Sequence, residues 1–131
     1  MKDNTKERTL NEIRQTKDSV YKHPWETDVV TTFDGLINKV IGWADDKGIL
    51  VRDNAPKQML KVLEEVGETS GALLKDNRDE IVDGIGDSFV TLIILSMQLG
   101  LHPSECLEAA WNEIKDRKGK MLNGTFVKET L

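Results

Sequence analysis

Apolar residues recur at spacings of three and four along most of the chain from residue 32 onward. Side chains at that spacing share one side of a helix, so the periodicity decides the fold class. It predicts helices over about 32–47, from after Asn54 to about 76, over about 78–99, and from Pro103 onward. Because the links between them are short, we predict an all-α domain with four main helices.

Glycine and proline residues mark the ends of the predicted helices. Gly48 and Gly100 stand where C-terminal caps are expected, and Pro56 lies in a first turn, where proline is tolerated. The predicted inward stripe of the second helix consists of Met59, Leu63, Val66, Ser70 and Leu73. Residues 89–95 are apolar on nearly every side, which predicts a buried helix; a strand is the alternative that its β-branched residues leave open. The tail over 123–127 predicts a turn and a short extended piece.

Residues 1–30 carry only a weak helical pattern and form an N-terminal arm of uncertain structure, whereas residues 31–131 form one domain. The chain has 18 basic and 23 acidic residues and a formal charge of −5, which argues against a nucleic-acid-binding protein. No apolar stretch is long enough to suggest a membrane span, and the polar first residues do not resemble a signal peptide. We therefore expect a cytoplasmic protein.

Six acidic residues fall on the second and third helices at helical spacing. The second helix carries Glu64, Glu65 and Glu68, and the third carries Glu80, Asp83 and Asp87. Residues three and four apart are neighbours on a helix, and like charges there cost only roughly 0.2–0.5 kcal/mol per exposed pair. On the second helix alone, a solvated surface and a functional site therefore both stay open.

The third helix favours a site, because the face of Asp83 and Asp87 turns apolar further along. That face continues into Val90, Thr91 and Ile94. It is therefore expected to meet another helix, and partly buried carboxylates repel unless they are protonated or bound to a cation. Carboxylate-only ligands favour Mg²⁺ first and Mn²⁺ next, and Mg²⁺ is typically shared with substrate phosphates. Four glycines beside the acids are expected to allow close approach of helices or a ligand: Gly67, Gly71, Gly84 and Gly86.

The acidic segments resemble the motifs of the MazG-like all-α nucleoside triphosphate pyrophosphohydrolases. Residues 63–68 read Leu-Glu-Glu-Val-Gly-Glu and residues 83–87 read Asp-Gly-Ile-Gly-Asp, similar to the family's E-x-x-E and E-x-x-D motifs. Residues 41–49 and 112–120 also resemble phage and Gram-positive bacterial members, and the resemblance covers roughly residues 33–128. It implies a helical bundle completed by oligomerisation, as a homodimer or homotetramer.

The resemblance implies metal ligands by position. Glu65 and Glu68 match the first motif, and Asp87 matches the last residue of the second. Three residues before Asp87 stands a glycine where the family has a glutamate, so Asp83 and Glu80 are the candidates to replace that ligand.

The implied activity is Mg²⁺-dependent hydrolysis of an NTP or dNTP to the monophosphate and pyrophosphate, in cleansing of the nucleotide pool. A metal-polarised water, deprotonated by Glu64 or Glu65, would attack the α-phosphorus. The candidate substrate contacts are Lys115, Asn112, Arg117 and Trp43. The cations and the tryptophan also have a purely structural interpretation. Positive side chains stabilise the C-terminal end of a helix dipole, and a tryptophan on an apolar stripe commonly packs in the core.

Two other functions stay open at this point. One is a pyrophosphohydrolase specialised for dUTP, dCTP or phosphoribosyl-ATP. The other is a non-catalytic helical interaction module with a degenerate metal site, which the missing glutamate would produce. The sequence contains no P-loop pattern, which argues against an ordinary ATPase.

Overall fold

The computed structural model describes residues 32–130, so the predicted arm over 1–30 lies outside the described residues. Within that range four α-helices and a two-stranded sheet confirm the all-α class. The elements are α1 Phe33–Asp46, a 3₁₀ turn Arg52–Asn54, α2 Ala55–Leu74, α3 Arg78–Gln98, α4 Pro103–Ile114, β1 Gly119–Leu122 and β2 Thr125–Lys128. By its internal contacts the chain divides between Gly35 and Leu36, and the packing described next lies in the second unit.

Left-handed residues end three of the helices. Gly48 follows α1 with a φ of 71°, and Gly100 follows α3 with a φ of 74°, so both predicted caps are confirmed. Glycine adopts this conformation without a Cβ penalty. Asp76 adopts it after α2 with a φ of 53°. Asn54 stands at the N-cap of α2 but makes no side-chain capping bond, because it ends the 3₁₀ turn with near-helical backbone angles.

α2 and α3 form an antiparallel helical hairpin joined by residues 75–77. Thr69 of α2 meets Gly84 of α3, and the Gln58 side chain, earlier on α2, donates to the Thr91 carbonyl, later on α3, at 3.1 Å. These cross-contacts advance in opposite directions along the two helices, which establishes the antiparallel arrangement.

The side of α2 that packs against α3 is not the predicted apolar stripe. The packed positions are Gln58, Val62, Glu65, Thr69 and Ala72. Along the predicted stripe, Met59 is 42% exposed, Leu63 57% and Leu73 66%. The predicted inward orientation is therefore wrong for the single chain, because short and polar side chains form the close contact and leave the larger apolar ones outside it.

Gly84 is a point of close approach between the two helices. A Cβ at this position would lie 3.1 Å from the Thr69 Cβ and 3.2 Å from the Thr69 Cα, and would collide with the Thr69 Oγ1. That hydroxyl is turned to its own helix, where it donates to the Glu65 carbonyl at 2.7 Å. The expected close approach of a helix is thus confirmed at Gly84, whereas no helix of the described chain comes within 4 Å of a Cβ at three other positions: Gly67, Gly71 and Gly86.

Residues 89–95 are helical, so the strand alternative is wrong. Ile93 and Ile94 are buried, but Leu92 is 47% exposed. The expectation of burial on every side therefore fails on one side of the helix.

α4 leaves α3 at a bend of 102° and buries none of its residues. Leu107, Trp111 and Ile114 are all exposed in the single chain. Within residues 32–130, no helix taken singly has the length and apolarity to cross a membrane, and the bent pair of α3 and α4 qualifies only by length and composition.

The tail forms an antiparallel hairpin of β1 and β2, in which Met121 lies opposite Phe126. Asn123 and Gly124 connect the strands with φ angles of 50° and 80°, as a type I′ turn requires. The predicted turn is confirmed, and the extended piece after it is the second strand of a hairpin whose first strand was not predicted.

Alanine substitutions at two glycines of α3 test the close contact. We expect Gly84→Ala to lower the free energy of unfolding by about 1–3 kcal/mol, because the new methyl overpacks against Thr69. The new methyl of Gly86→Ala meets no neighbour within 4 Å. This variant should raise the free energy of unfolding by up to about 1 kcal/mol, because alanine has the higher helix propensity. Urea unfolding at one protein concentration measures both, and equal stabilisation by the two variants would contradict the contact.

Candidate functional site

The acidic residues of α2 and α3 lie on one side of the helical hairpin. Successive helical residues rotate by about 100°, so Glu64 and Glu68 fall to one side of the packed row on α2. On α3, Asp83 and Asp87 fall to the matching side, because the helices run antiparallel. The acidic face consists of these residues together with Glu65: Glu64, Glu65, Glu68, Asp83 and Asp87.

Glu65 and Asp87 lie at the same level of the hairpin. They come from different helices, between the Gly84 contact and the hydrogen bond that Gln58 donates across the interface. Both residues are half-buried, whereas the other members of the acidic face are exposed. The close packing of the helices therefore holds two carboxylates partly out of solvent.

The pKa of the Glu65 carboxyl is raised above its ordinary value. Desolvation is the largest cause, followed by the negative charges of Glu68, Asp87 and Glu64, while Lys61 acts in the opposite direction. Lys61 is itself engaged by Glu64 at 3.0 Å, and that hydrogen bond raises the lysine pKa. The carboxylates of the two helices thus share one electrostatic environment, which the nearby lysine does not neutralise.

Sequence reasoning overlooked Lys61 as a local partner of the acids. The spacing of three residues between Lys61 and Glu64 is the signal that identifies the pair.

The donor chemistry of the acidic face fits a hard divalent cation, since all its ligands are carboxylate oxygens. Across residues 32–130, however, no three Asp, Glu, His or Cys side chains converge closely enough to hold one ion. A single chain therefore offers the right donors without a closed coordination shell.

The glycine that stands in place of the family's glutamate has a structural reason. Gly84 is buried in the helix contact, so a longer side chain there would force the helices apart. Asp83 lies one turn before Asp87 on the acidic face, whereas Glu80 lies a further turn away, where its backbone N–H donates to the capping side chain of Asn77 at 3.3 Å. Both residues share the phase of Asp87, but Asp83 lies about 6 Å from it along the helix axis and Glu80 about 10.5 Å, so the shorter axial distance favours Asp83 as the replacement.

Three of the four predicted substrate contacts lie at the end of α4, away from the acidic face of the same chain. Asn112 and Lys115 lie at the end of α4, and Arg117 forms an ion pair at 3.3 Å with a glutamate of that helix. Because α4 turns away at 102°, its end lies roughly 20 Å from Asp87 by helix rise. Trp43 on α1 is 51% exposed, so its indole is not buried core.

Comparison with known proteins gives a partial relative. The chain is 44% identical over 64 residues to an uncharacterized 18.2 kDa protein from the rep–hol intergenic region of Haemophilus phage HP1 (strain HP1c1). The matched segment spans 48% of this chain and 39% of the phage protein. No family model matches the chain, and no solved structure matches it significantly. The MazG-like resemblance therefore stays a prediction.

The raised pKa of Glu65 predicts a pH-dependent stability. Its folded-state pKa exceeds the unfolded value, so the native state binds more protons, and stability falls as pH rises from about 4.3 through the folded pKa. We expect Glu65→Gln to flatten that decline and to have a higher Tm than the wild type at neutral pH.

Thermal unfolding between about pH 4 and pH 8 measures this effect. Glu113→Gln is the matched control, since Glu113 lies in an exposed ion pair with Arg117, and it should show no gain at neutral pH. If the Tm of Glu65→Gln changed with pH in parallel with that of the wild type, the raised pKa of Glu65 would be contradicted.

Proposed function

We propose that the protein is a Mg²⁺-dependent pyrophosphohydrolase that converts a nucleoside triphosphate, ribo- or deoxyribo-, to the monophosphate and pyrophosphate. The observation that carries the proposal is the half-buried Glu65, whose pKa is raised by desolvation and by acids from both helices. The resemblance of residues 63–68 and 83–87 to MazG-like motifs supplies the reaction class.

The candidate ligands of the cation are four carboxylates, of which at most two would bind one ion directly: Glu65, Glu68, Asp83 and Asp87. Mg²⁺ suits this donor set, with Mn²⁺ as a substitute. When bound, it supplies charge neutralisation at the phosphate oxygens and a more acidic water. Because no three of the described side chains converge on one point, the remaining ligands are waters and substrate oxygens, a mode that Mg²⁺ commonly uses.

Hydrolysis at the α-phosphorus requires a base. A water oxygen bonds to that phosphorus while the bond to the bridging oxygen breaks, pyrophosphate leaves with the electron pair, and the water gives up a proton. Glu64 and Glu65 are the candidates to accept that proton, and Glu65 is also one of the proposed ligands of the cation. Glu64 is held by Lys61 at 3.0 Å, which ties up its carboxylate in an ion pair.

A second candidate function is a non-catalytic helical interaction module. The observation that favours it is the lack of three converging ligands within residues 32–130. Metal binding and turnover distinguish the two candidates.

We expect millimolar-range MgCl₂ to raise the Tm of the wild type, since a ligand that binds only the native state stabilises it by mass action. Asp87→Asn should lose most of that shift. Glu108→Gln, on the exposed α4, is the matched charge control and should keep it. A wild type that shows no shift with Mg²⁺ or Mn²⁺ would favour the interaction module.

Pyrophosphate release is expected with at least one of the eight common NTPs and dNTPs in the presence of Mg²⁺. Glu65→Gln and Asp87→Asn should lower kcat by about 10²-fold or more, the range typical of a lost base or charge-stabilising group. Glu108→Gln should leave turnover unchanged.

Two further variants locate the remaining ligand: Asp83→Asn should lower kcat and Glu80→Gln should not. Adding phosphoribosyl-ATP to the screen tests the specialised alternatives alongside dUTP and dCTP. Full activity in Asp87→Asn would overturn the proposed site.

A further inference from the structure

The β-hairpin of β1 and β2 follows the alternation of an antiparallel ladder. Its two-residue turn makes Leu122 and Thr125 a hydrogen-bonded pair. At the other end of the strands, the Glu129 N–H donates to the Lys118 carbonyl at 2.8 Å. Hydrogen-bonded pairs recur at every second residue, so the pairs between them turn their backbone groups outward, to the two edges of the sheet.

The outer edge of β1 is therefore unpaired. Gly119 and Met121 belong to the pairs that point outward, and neither backbone has a hydrogen-bond partner among residues 32–130. Every residue of both strands is exposed. A free edge of this kind is a template for a further strand, because each outward residue offers one N–H donor and one carbonyl acceptor.

Both faces of the β-hairpin carry exposed apolar side chains. Met121 and Phe126 lie opposite each other on one face, at 65% and 48% exposed, and Leu122 and Val127 lie on the other face, at 52% and 45%. A two-stranded hairpin is at best marginally stable in water, and further strands stabilise it. A third strand sends its own side chains alternately to the two faces, so it contacts both apolar sets at once.

The cations of the β-hairpin lie mainly along β1. Residues 117–122 contain three cations and no acid, whereas β2 and its end carry Lys128 and Glu129, whose charges balance. Lys118 and Lys120 share one face and form no ion pair with any residue of 32–130. The edge of β1 therefore favours a negatively charged strand. A second copy of the same edge would oppose lysines to lysines.

Gly119 leaves room on the opposite face of that edge. A Cβ there would lie 2.9 Å from the Lys128 Cα and would collide with the Phe126 ring, which therefore packs across the sheet over the glycine. An incoming side chain at this level meets the aromatic ring and no Cβ of β1. The two faces thus select different residues: acidic ones beside Lys118 and Lys120, and apolar ones between them.

We propose that the outer edge of β1 binds an extended acidic segment of a partner protein as a third strand, in which acidic and apolar residues alternate. Nucleic acid is the other polyanion that lysines attract. Its backbone lacks the alternating donors and acceptors that the edge groups of Gly119 and Met121 require, and a peptide strand supplies both. The inference goes beyond the proposed function and uses no residue of the acidic face.

Fluorescence anisotropy of labelled peptides with the full chain tests the proposal. The probe is a capped six-residue peptide that alternates aspartate and valine, and it is expected to bind saturably. The same peptide with every backbone nitrogen methylated keeps its charges but loses its donors, so its Kd should be about tenfold higher or more. A peptide that alternates lysine and valine should not bind.

Three variants locate the site. Lys120→Gln should raise the Kd about two- to fivefold, the size of an exposed ion pair, and Lys128→Gln on β2 is the matched control that should leave it unchanged. Met121→Pro removes an outward donor without breaking a ladder bond, and it should abolish binding. In the wild type, the bound peptide should slow amide hydrogen exchange at Met121 and not at Phe126.

The peptide comparison uses the wild type, so it stands even if Met121→Pro fails to fold. Equal binding of the methylated peptide would overturn the proposal, as would a lack of binding by the aspartate–valine peptide. Slowed exchange at Phe126 in place of Met121 would contradict the choice of edge. Tighter binding of an oligothymidine strand would also overturn the proposal and would identify a nucleic-acid site instead.

Discussion

The close contact between Thr69 and Gly84 determines the geometry on which the rest of the hairpin depends. Because position 84 has no side chain, α2 and α3 approach so closely that a Cβ there would lie 3.2 Å from the Thr69 Cα. That approach sets Glu65 opposite Asp87 and turns two apolar stripes to the far side. The resemblance to MazG-like enzymes leads one to expect a glutamate at position 84, and the close helix contact leaves no room for its side chain.

Short and polar residues at the helix interface have an electrostatic consequence. They provide little cover, so Glu65 and Asp87 are neither fully solvated nor deeply buried. At such positions like charges repel more than in water, and a cation or a proton relieves the repulsion. One side of the hairpin is therefore acidic and partly desolvated, and the other side is apolar.

The helices, their glycine caps and the shared side of the acids follow from the sequence, because spacing and capping are local properties. The face of α2 that packs inside the chain does not, because periodicity reports that Met59 and Leu63 form a stripe but not which molecule covers it. The separation of Lys115 from Asp87 was equally hidden, since it depends on the bend between α3 and α4. Strand β1 has no clear alternation of apolar and polar residues, so its sequence alone does not predict a strand. The turn that follows it defines its pairing with β2.

The three-residue link between α2 and α3 has a kinetic consequence. Its closure costs little entropy, and the first contact beyond it, between Thr69 and Gly84, joins residues of one continuous segment. Among the helix pairs within residues 32–130, the hairpin of α2 and α3 is therefore well suited to form early. Any slower step in folding would be the covering of its apolar side, and if a second chain does this, the rate of that step rises with protein concentration.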